Sequence, residues 1–157
     1  AQDVANATRE TGRKADEASF EPFSLRMAAN ASKLTEADTN AVIQRLLGNT
    51  AAYNEWIKGF DVVLSPVIAS PPSPLGYLRG DVPFDTLRER LLQQVGYTLI
   101  HNVCGAPAIS LPLGRTSTNL PIGVQACAAA GADGLLLELA YLFEEALPWR
   151  SYRASLA

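Results

Sequence analysis

Apolar residues recur every three or four positions over most of the chain, which is the period of a helix with one face on a core. This period predicts helices over residues 22–31, 35–59 and 85–100, and a strongly apolar helix from Leu135 that ends before Pro148. Residues 1–18 are rich in Ala, Glu, Lys and Arg, a composition that favours a further helix with a break at Gly12.

Three local signals set the ends of these helices. Pro22 suits the first turn of a helix, where an N–H has no partner in any case. Thr35 and Asp38 have the spacing of a capping box, and Gly59 is expected to cap the carboxyl end of the same helix. This helix is the longest, and an apolar stripe along it is predicted to face a core. The stripe contains Ala41, Val42, Leu46, Tyr53, Trp56 and Ile57.

Three shorter apolar runs predict strands. The runs at 108–113 and 122–126 are joined by a polar link, which is the pattern of a β-hairpin. They carry large or β-branched residues such as Ile109 and Val124, which favour a pleated surface. The run at 60–67 is continuously apolar and bounded by glycine and prolines, so it is predicted to be a strand of the sheet interior, buried on both faces.

A loop is predicted between the first strand and the next helix. Residues 70–83 contain four prolines and two glycines, which deny the backbone both a helix and a sheet ladder. A hydrophobic share of 48% and a charged share of 18% describe an ordinary globular chain, and 157 residues suffice for one domain. We therefore expect a single domain over 1–157, helical over 1–59, with sheet, proline-rich loop and covering helices over 60–157.

The net charge of −3 gives no basic field that would attract nucleic acid or an anionic membrane. No apolar run approaches the roughly 20 residues of a membrane helix. The sequence thus predicts a soluble protein without either partner, and we expect it in the cytoplasm. Cys104 and Cys127 lack a Cys-x-x-Cys spacing and lie in apolar surroundings, which indicates two buried thiols rather than a disulfide.

Several segments carry a resemblance in the same order along the chain. Residues 60–66 read F-D-V-V-L-S-P, residues 102–114 read N-V-C-G-A-P-A-I-S-L-P-L-G, and residues 120–125 read L-P-I-G-V-Q, followed by the apolar helix of 135–149. Together they resemble the C-terminal part of amidase signature family enzymes. That family usually has Gly before the Leu-Pro of the second strand, where this chain has Asn119, a residue that also tolerates a positive φ.

The resemblance implies an α/β fold, a mixed β-sheet sandwiched by helices, of which this chain is the C-terminal part. It also implies amide hydrolysis through an acyl-enzyme by a Ser, cis-Ser, Lys triad. The chain has no Gly/Ser-rich signature segment, and Lys14, Lys33 and Lys58 lie in polar contexts. Since Ala1 is neither an initiator Met nor part of a signal peptide, the triad is expected in a missing N-terminal part.

By resemblance, the helix before Asn102 borders the acyl-binding channel. Leu92, Val95, Leu99 and Asn102 are the residues expected to bind substrate, with plain core packing of the apolar three as the alternative. The proline-rich loop is expected near the substrate entrance. Its apolar side chains could line the pocket or belong to a surface loop, and they are Leu75, Tyr77 and Leu78.

Other chemistries have little support in the residues. His101 is the only histidine, so a triad with Ser110 or Cys104 would depend on it, and packing before a turn is the better interpretation. One histidine and scattered carboxylates do not make a metal site, and no cofactor motif occurs. The carboxylates at Asp85, Glu89, Glu138, Glu144 and Glu145 fit solvated helix faces.

Three functional hypotheses follow from the resemblance. The first is an amidase part that supplies scaffold and part of the acyl pocket, with a small-molecule amide as substrate and the N-terminal part of the same enzyme as partner. The second is the subunit of a glutamine-dependent transamidation enzyme. The third is a non-catalytic binding or scaffold protein that kept this half of the fold. The sequence leaves a homo-oligomer open.

Overall fold

The computed structural model describes residues 2–149, and these residues form two compact units. The first unit contains residues 2–44 and 73–93, and the second contains residues 45–72 and 94–149. Within residues 2–149, no helix combines the length and apolar character needed to cross a membrane.

The first unit is helical, as the sequence predicts. It contains α1 (Gln2–Thr11), α2 (Pro22–Ala31), the start of α3 (Glu36–Ile57) and most of α4 (Phe84–Gln94). Helix α1 ends before Gly12, whose φ of 67° is the left-handed conformation that stops a helix. Pro22 occupies the first turn of α2, and the ring of Phe23 stacks on that of Phe84 at 5.0 Å between centroids.

The predicted capping box opens α3. The backbone N–H of Asp38 donates to Thr35 Oγ1 at 3.1 Å, and the N–H of Thr35 donates to Asp38 Oδ2 at 2.9 Å. These hydrogen bonds, those of the Thr35 side chain first, lower the pKa of the Asp38 carboxyl. The far end of α3 differs from the prediction, because the helix stops at Ile57 and Gly59 has no left-handed φ. A tighter turn ends it, in which Gly59 N–H donates to Trp56 O at 3.2 Å.

The apolar stripe of α3 does not face a core, so that prediction is wrong for the described chain. Only Ile57 of this helix is buried, and it is fully so. Val42, Leu46 and Trp56 are 41–52% exposed. The helical period correctly predicts the helix, but burial of its stripe requires an element that residues 2–149 do not place over it.

The second unit is built on a three-stranded antiparallel sheet. Its strands are β1 (Val63–Pro66), β2 (Ala108–Arg115) and β3 (Pro121–Cys127), in the order β1-β3-β2. The predicted hairpin is therefore present as β2 and β3. Its register shifts between Leu111 and Gly114, around Pro112, which has no N–H to give to a ladder.

The link between β2 and β3 has the turn chemistry that the sequence indicates. Asn119 has a φ of 66°. Its N–H donates to Thr116 O at 2.9 Å, and the Arg115 guanidinium donates to its side-chain Oδ1 at 2.8 Å. Asparagine thus occupies a left-handed position that most residues adopt only at a cost.

The prediction for β1 is wrong in its position. The strand lies at one edge of the described sheet, and its residues alternate between half-buried and exposed instead of being buried on both faces. Leu64 is 55% exposed. A continuous apolar run indicates burial on both sides, but residues 2–149 supply a neighbouring strand on one side of β1 only.

The predicted helix over 85–100 is two helices. Helix α4 ends at Gln94, and α5 (Leu99–Cys104) starts after a break that contains Gly96. The Gln94 carbonyl accepts a hydrogen bond from Ala69 N–H at 3.1 Å, so a segment distant in sequence takes the group that would continue the helix. Helix α5 ends at Gly105 with a φ of 65°, at the predicted stop.

The core of the second unit lies between the sheet and α6 (Asp133–Ala146). Ala126, Ala128 and Leu136 are almost completely buried there, with Ile109 and Leu139 packed against them. Cys104 and Cys127 are buried free thiols, which confirms the prediction. The α/β class is confirmed, and all strand pairs among the described residues are antiparallel.

One buried polar contact ties the end of α3 to α5. Tyr53 Oη and His101 Nδ1 are hydrogen-bonded at 3.0 Å, and the two rings meet edge to face. Burial lowers the pKa of His101 and, with the nearby Cys127 thiol, raises the pKa of Tyr53 to about 12. Both groups are therefore neutral near pH 7, and His101 packs before a turn as the sequence predicts.

We expect Asn119→Val to lower the free energy of unfolding by roughly 1–2 kcal/mol, because a β-branched residue is strained at positive φ. Asn119→Gly is the matched control, since glycine adopts this φ freely. Thermal unfolding of the two variants checks the expectation. Equal melting temperatures for the two variants would contradict a left-handed residue at this turn.

We expect Tyr53→Phe to cost about 1–3 kcal/mol of unfolding free energy, because His101 Nδ1 stays buried without its partner. Tyr141→Phe removes a hydroxyl from a 72% exposed ring and is expected to change little. Denaturant unfolding compares the two variants. If both lose the same stability, the contact does not hold α5.

The lowered His101 pKa also predicts a direction of pH dependence. The ordinary value is 6.5, so the unfolded chain takes up the proton first as the pH falls. The chain is expected to lose stability as the pH decreases below 6.5, and His101→Gln, which cannot take up that proton, is expected to lose less. Unfolding curves of both proteins at pH 5 to 7 measure the difference, and identical pH slopes would refute a buried neutral histidine.

Candidate functional site

The four residues predicted to bind substrate do not lie on one helix. Leu92 is on α4, in the first unit, and Val95 lies in the break before α5. Leu99 and Asn102 are both on α5, in the second unit. The three apolar residues are 45–61% exposed, and Asn102 is also exposed. Core packing, the alternative interpretation, therefore does not describe them in residues 2–149.

Helix α5 has two faces of opposite character. His101 and Cys104 form the buried face, and the Tyr53 hydroxyl holds the histidine in place. Leu99, Asn102 and Val103 are spaced three and four residues apart, which places them together on the other face. All three are exposed, Val103 least at 36%. The exposed face combines two apolar side chains with one amide, and we define these three residues as the α5 face.

The α5 face is held by contacts that the sequence analysis did not identify as functional. Tyr53 lies 48 residues from His101 in the chain, and only the folded structure brings the two together. Tyr53 also packs against Trp56 at 5.7 Å between ring centroids. The helical spacing of Tyr53 signals an apolar stripe, and its hydroxyl gave no separate signal.

The proline-rich loop contributes to a cavity through its first residues. A cavity of about 220 Å³ is bordered by Pro66, Ile68, Pro72, Ile122 and Gly123, among others. The lining is mainly apolar and contains no charged side chain. This cavity belongs to the second unit and lies where β1 leaves the sheet.

The loop residues predicted as pocket lining lie apart from that cavity, in the first unit. Leu75 is fully exposed, and Leu78 is 36% exposed. Tyr77 is held against α4, because the Arg90 guanidinium lies 4.2 Å from its ring centroid and donates to its carbonyl oxygen at 2.7 Å. This arrangement favours the alternative interpretation, a surface loop held by its own contacts.

The groups considered for catalysis are distributed over the surface or enclosed. Lys14, Lys33 and Lys58 are exposed, and Lys58 pairs with Glu55 at 2.7 Å. The Lys58 ammonium, by hydrogen bond and by charge, lowers the pKa of Glu55. Cys127 is enclosed, and burial raises its thiol pKa. Residues 2–149 hold no group of three or more His, Cys, Asp or Glu side chains placed to bind a metal ion.

The chain is similar in sequence to named amidases. It is 33% identical over 152 residues to the putative amidase AmiC of Mycobacterium tuberculosis, which covers 96% of this chain and 32% of that protein. It is also 33% identical over 152 residues to the 6-aminohexanoate-cyclic-dimer hydrolase of Paenarthrobacter ureafaciens, over 92% of this chain and 31% of the relative. A shorter match, 33% over 104 residues, joins 66% of the chain to 20% of a glutamyl-tRNA(Gln) amidotransferase subunit from Halothermothrix orenii.

The fold is similar to that of a solved enzyme. The structure of 6-aminohexanoate cyclic dimer hydrolase superposes with a TM-score of 0.88 at 30% identity, over 99% of this chain and 34% of that one. The chain thus spans about a third of the length of the relatives it matches. This share is consistent with the predicted C-terminal portion.

A family model confirms the resemblance that the sequence motifs carry. The model described as Amidase matches residues 3–137, which include the capping box, the hairpin and both α4 and α5. The chain belongs to the amidase family.

Proposed function

We propose that this chain is the C-terminal part of an enzyme that hydrolyses amide bonds through an acyl-enzyme. It supplies scaffold and one wall of the acyl pocket, and the Ser, cis-Ser, Lys triad lies in an N-terminal part of the same enzyme. The observation that carries this proposal is the match to the 6-aminohexanoate cyclic dimer hydrolase over 99% of the chain. A match that leaves about two thirds of the relative uncovered fits a chain without its own catalytic lysine.

The α5 face and the residues before it are the proposed contact with the acyl group. In acyl transfer, the serine oxygen bonds to the amide carbon and the amine leaves with a proton, after which water releases the acid. Leu92, Val95 and Leu99 are suited to holding the apolar part of the acyl group, because burying them against hydrocarbon removes apolar area from water. Asn102 has an amide that can both donate and accept a hydrogen bond, which suits a polar group of the substrate.

Glutamine-dependent transamidation is the second candidate. It is supported by the match to the amidotransferase, which covers 66% of the chain where the amidase and hydrolase matches cover 92% or more. The two functions differ in the acceptor of the acyl or amide group, since one passes it to water and the other passes ammonia onward. The broader coverage favours hydrolysis. A non-catalytic scaffold is the third candidate, and a turnover assay separates it from both.

The setting of the enzyme is also proposed. A cytoplasmic enzyme acting on a small-molecule amide agrees with the acidic composition, which gives no basic surface for nucleic acid. Its essential partner is the N-terminal part that carries the triad. Self-association into a homo-oligomer is compatible with this arrangement, and sedimentation of the assembled enzyme would measure it.

We expect the purified chain to show no amidase activity, and co-expression with the N-terminal part to restore turnover. The physical reason is that a nucleophile and a base must lie within hydrogen-bond reach, and the lysines here are solvated. Release of amine from 6-aminohexanoate cyclic dimer, and of ammonia from glutamine, distinguishes the two enzyme candidates. Activity of the purified chain alone would overturn the placement of the triad.

In the assembled enzyme, we expect Leu99→Ala to raise KM for an amide with a long apolar acyl chain by about tenfold, and to raise it less for acetamide. Loss of roughly 1–2 kcal/mol of apolar contact corresponds to this change. Leu137→Ala on α6 removes a side chain of similar exposure, 55%, and serves as the control. Equal effects of the two variants on KM would remove α5 from the acyl pocket.

A further inference from the structure

The outer edge of β1 carries backbone groups without a partner among the described residues. The N–H of Val67 donates to Gly123 O at 3.2 Å, which shows that this residue faces β3. Because hydrogen-bonding direction alternates along an antiparallel strand, Val63 and Ser65 also face β3. The register pairs them with Cys127 and Gln125. Leu64, between them, therefore points its N–H and C=O away from the sheet.

Pro66 supports this assignment of directions. It is the next residue that points away from β3, and a proline has no N–H to donate. A proline facing β3 would have removed a ladder hydrogen bond, whereas at the outward position it removes none. The outward edge thus offers one complete donor and acceptor pair at Leu64, followed by the Pro66 carbonyl alone.

The surface that leads to this edge is apolar. Trp56 and Phe60 are 51% and 49% exposed, and their rings pack 5.0 Å apart just before β1 begins. Leu64 adds a 55% exposed side chain on the strand itself. An open edge with exposed apolar side chains is a template for pairing with another strand, and folded proteins normally cover it.

We propose that the edge of β1 at Leu64 pairs with a β-strand from the N-terminal part of the enzyme, which extends the sheet and covers Trp56 and Phe60. This inference rests on the proposed function for the existence of that part. The matched structure is about three times as long as the segment that this chain covers, so ample chain exists to supply the strand. A sheet of three strands is also smaller than the usual four to six.

Amide hydrogen exchange tests the proposal directly. In the purified chain, the Leu64 N–H is expected to exchange rapidly, and assembly with the N-terminal part is expected to slow its exchange at least about tenfold. The Ser65 N–H faces β3 and is expected to be protected in both states. Unchanged exchange at Leu64 after assembly would overturn the proposal. Protection of Leu64 in the chain alone that increases with concentration would also overturn it, since the occupant would then be a second copy.

A pair of variants at the same position gives an independent measurement. Leu64→Pro removes the outward N–H, whereas Leu64→Ala keeps it and removes only the side chain. We expect Leu64→Pro to weaken the affinity for the N-terminal part by about tenfold or more relative to Leu64→Ala, as measured by titration calorimetry. Thermal unfolding of the two free chains checks that β1 survives. Equal affinities for variants with equal stability would count against the pairing.

These measurements do not depend on turnover. Assembly with protection of Leu64 but without amide hydrolysis would refute the proposed function and leave the strand pairing intact. Hydrolysis by an assembly in which Leu64 stays unprotected would refute the pairing and leave the proposed function intact.

Discussion

The alternation of hydrogen bonds along β3 determines where the other elements of the second unit can lie. Residues 123, 125 and 127 pair with β1, and residues 124, 126 and 128 turn their backbone groups to β2. A shift of either neighbour by one residue would turn its apolar residues to the opposite face. The same register places Ala126 and Ile109 against α6, and it brings Cys127 close to Tyr53. The core and the buried polar contact therefore both depend on this pairing.

Apolar burial in the described chain is uneven, and its distribution is informative. Ile57, Leu111 and Leu136 are almost fully enclosed, whereas Leu46, Leu64 and Leu99 are 41–58% exposed. A chain of this composition has enough apolar residues for a larger core than residues 2–149 assemble. The exposed residues lie on α3, β1 and α5, so the unburied area follows particular elements instead of scattering over the surface. This distribution agrees with a chain that covers a third of its relatives.

Local signals in the sequence predicted local structure well. The capping box at Thr35, the stop at Gly105 and the left-handed Asn119 each depend on neighbours within a few residues, and the structure contains all three. Features that depend on distant chain were not predictable in this way. The break after Gln94 involves Ala69, and the Tyr53–His101 contact joins residues 48 positions apart. For β1 and the α3 stripe, the apolar pattern predicts burial, but no sequence pattern states which element will provide it.

The two exposed apolar regions of the second unit differ in the kind of partner they can accept. The edge at Leu64 presents backbone N–H and C=O groups next to large side chains, and only another extended backbone satisfies both groups at once. The α5 face presents no free edge, because helical hydrogen bonds occupy its backbone, and it offers Asn102 between apolar side chains. A small amide with an apolar chain matches that combination better than a strand does. The different backbone chemistry of the two surfaces thus separates a site for polypeptide from a site for substrate, although both expose leucine.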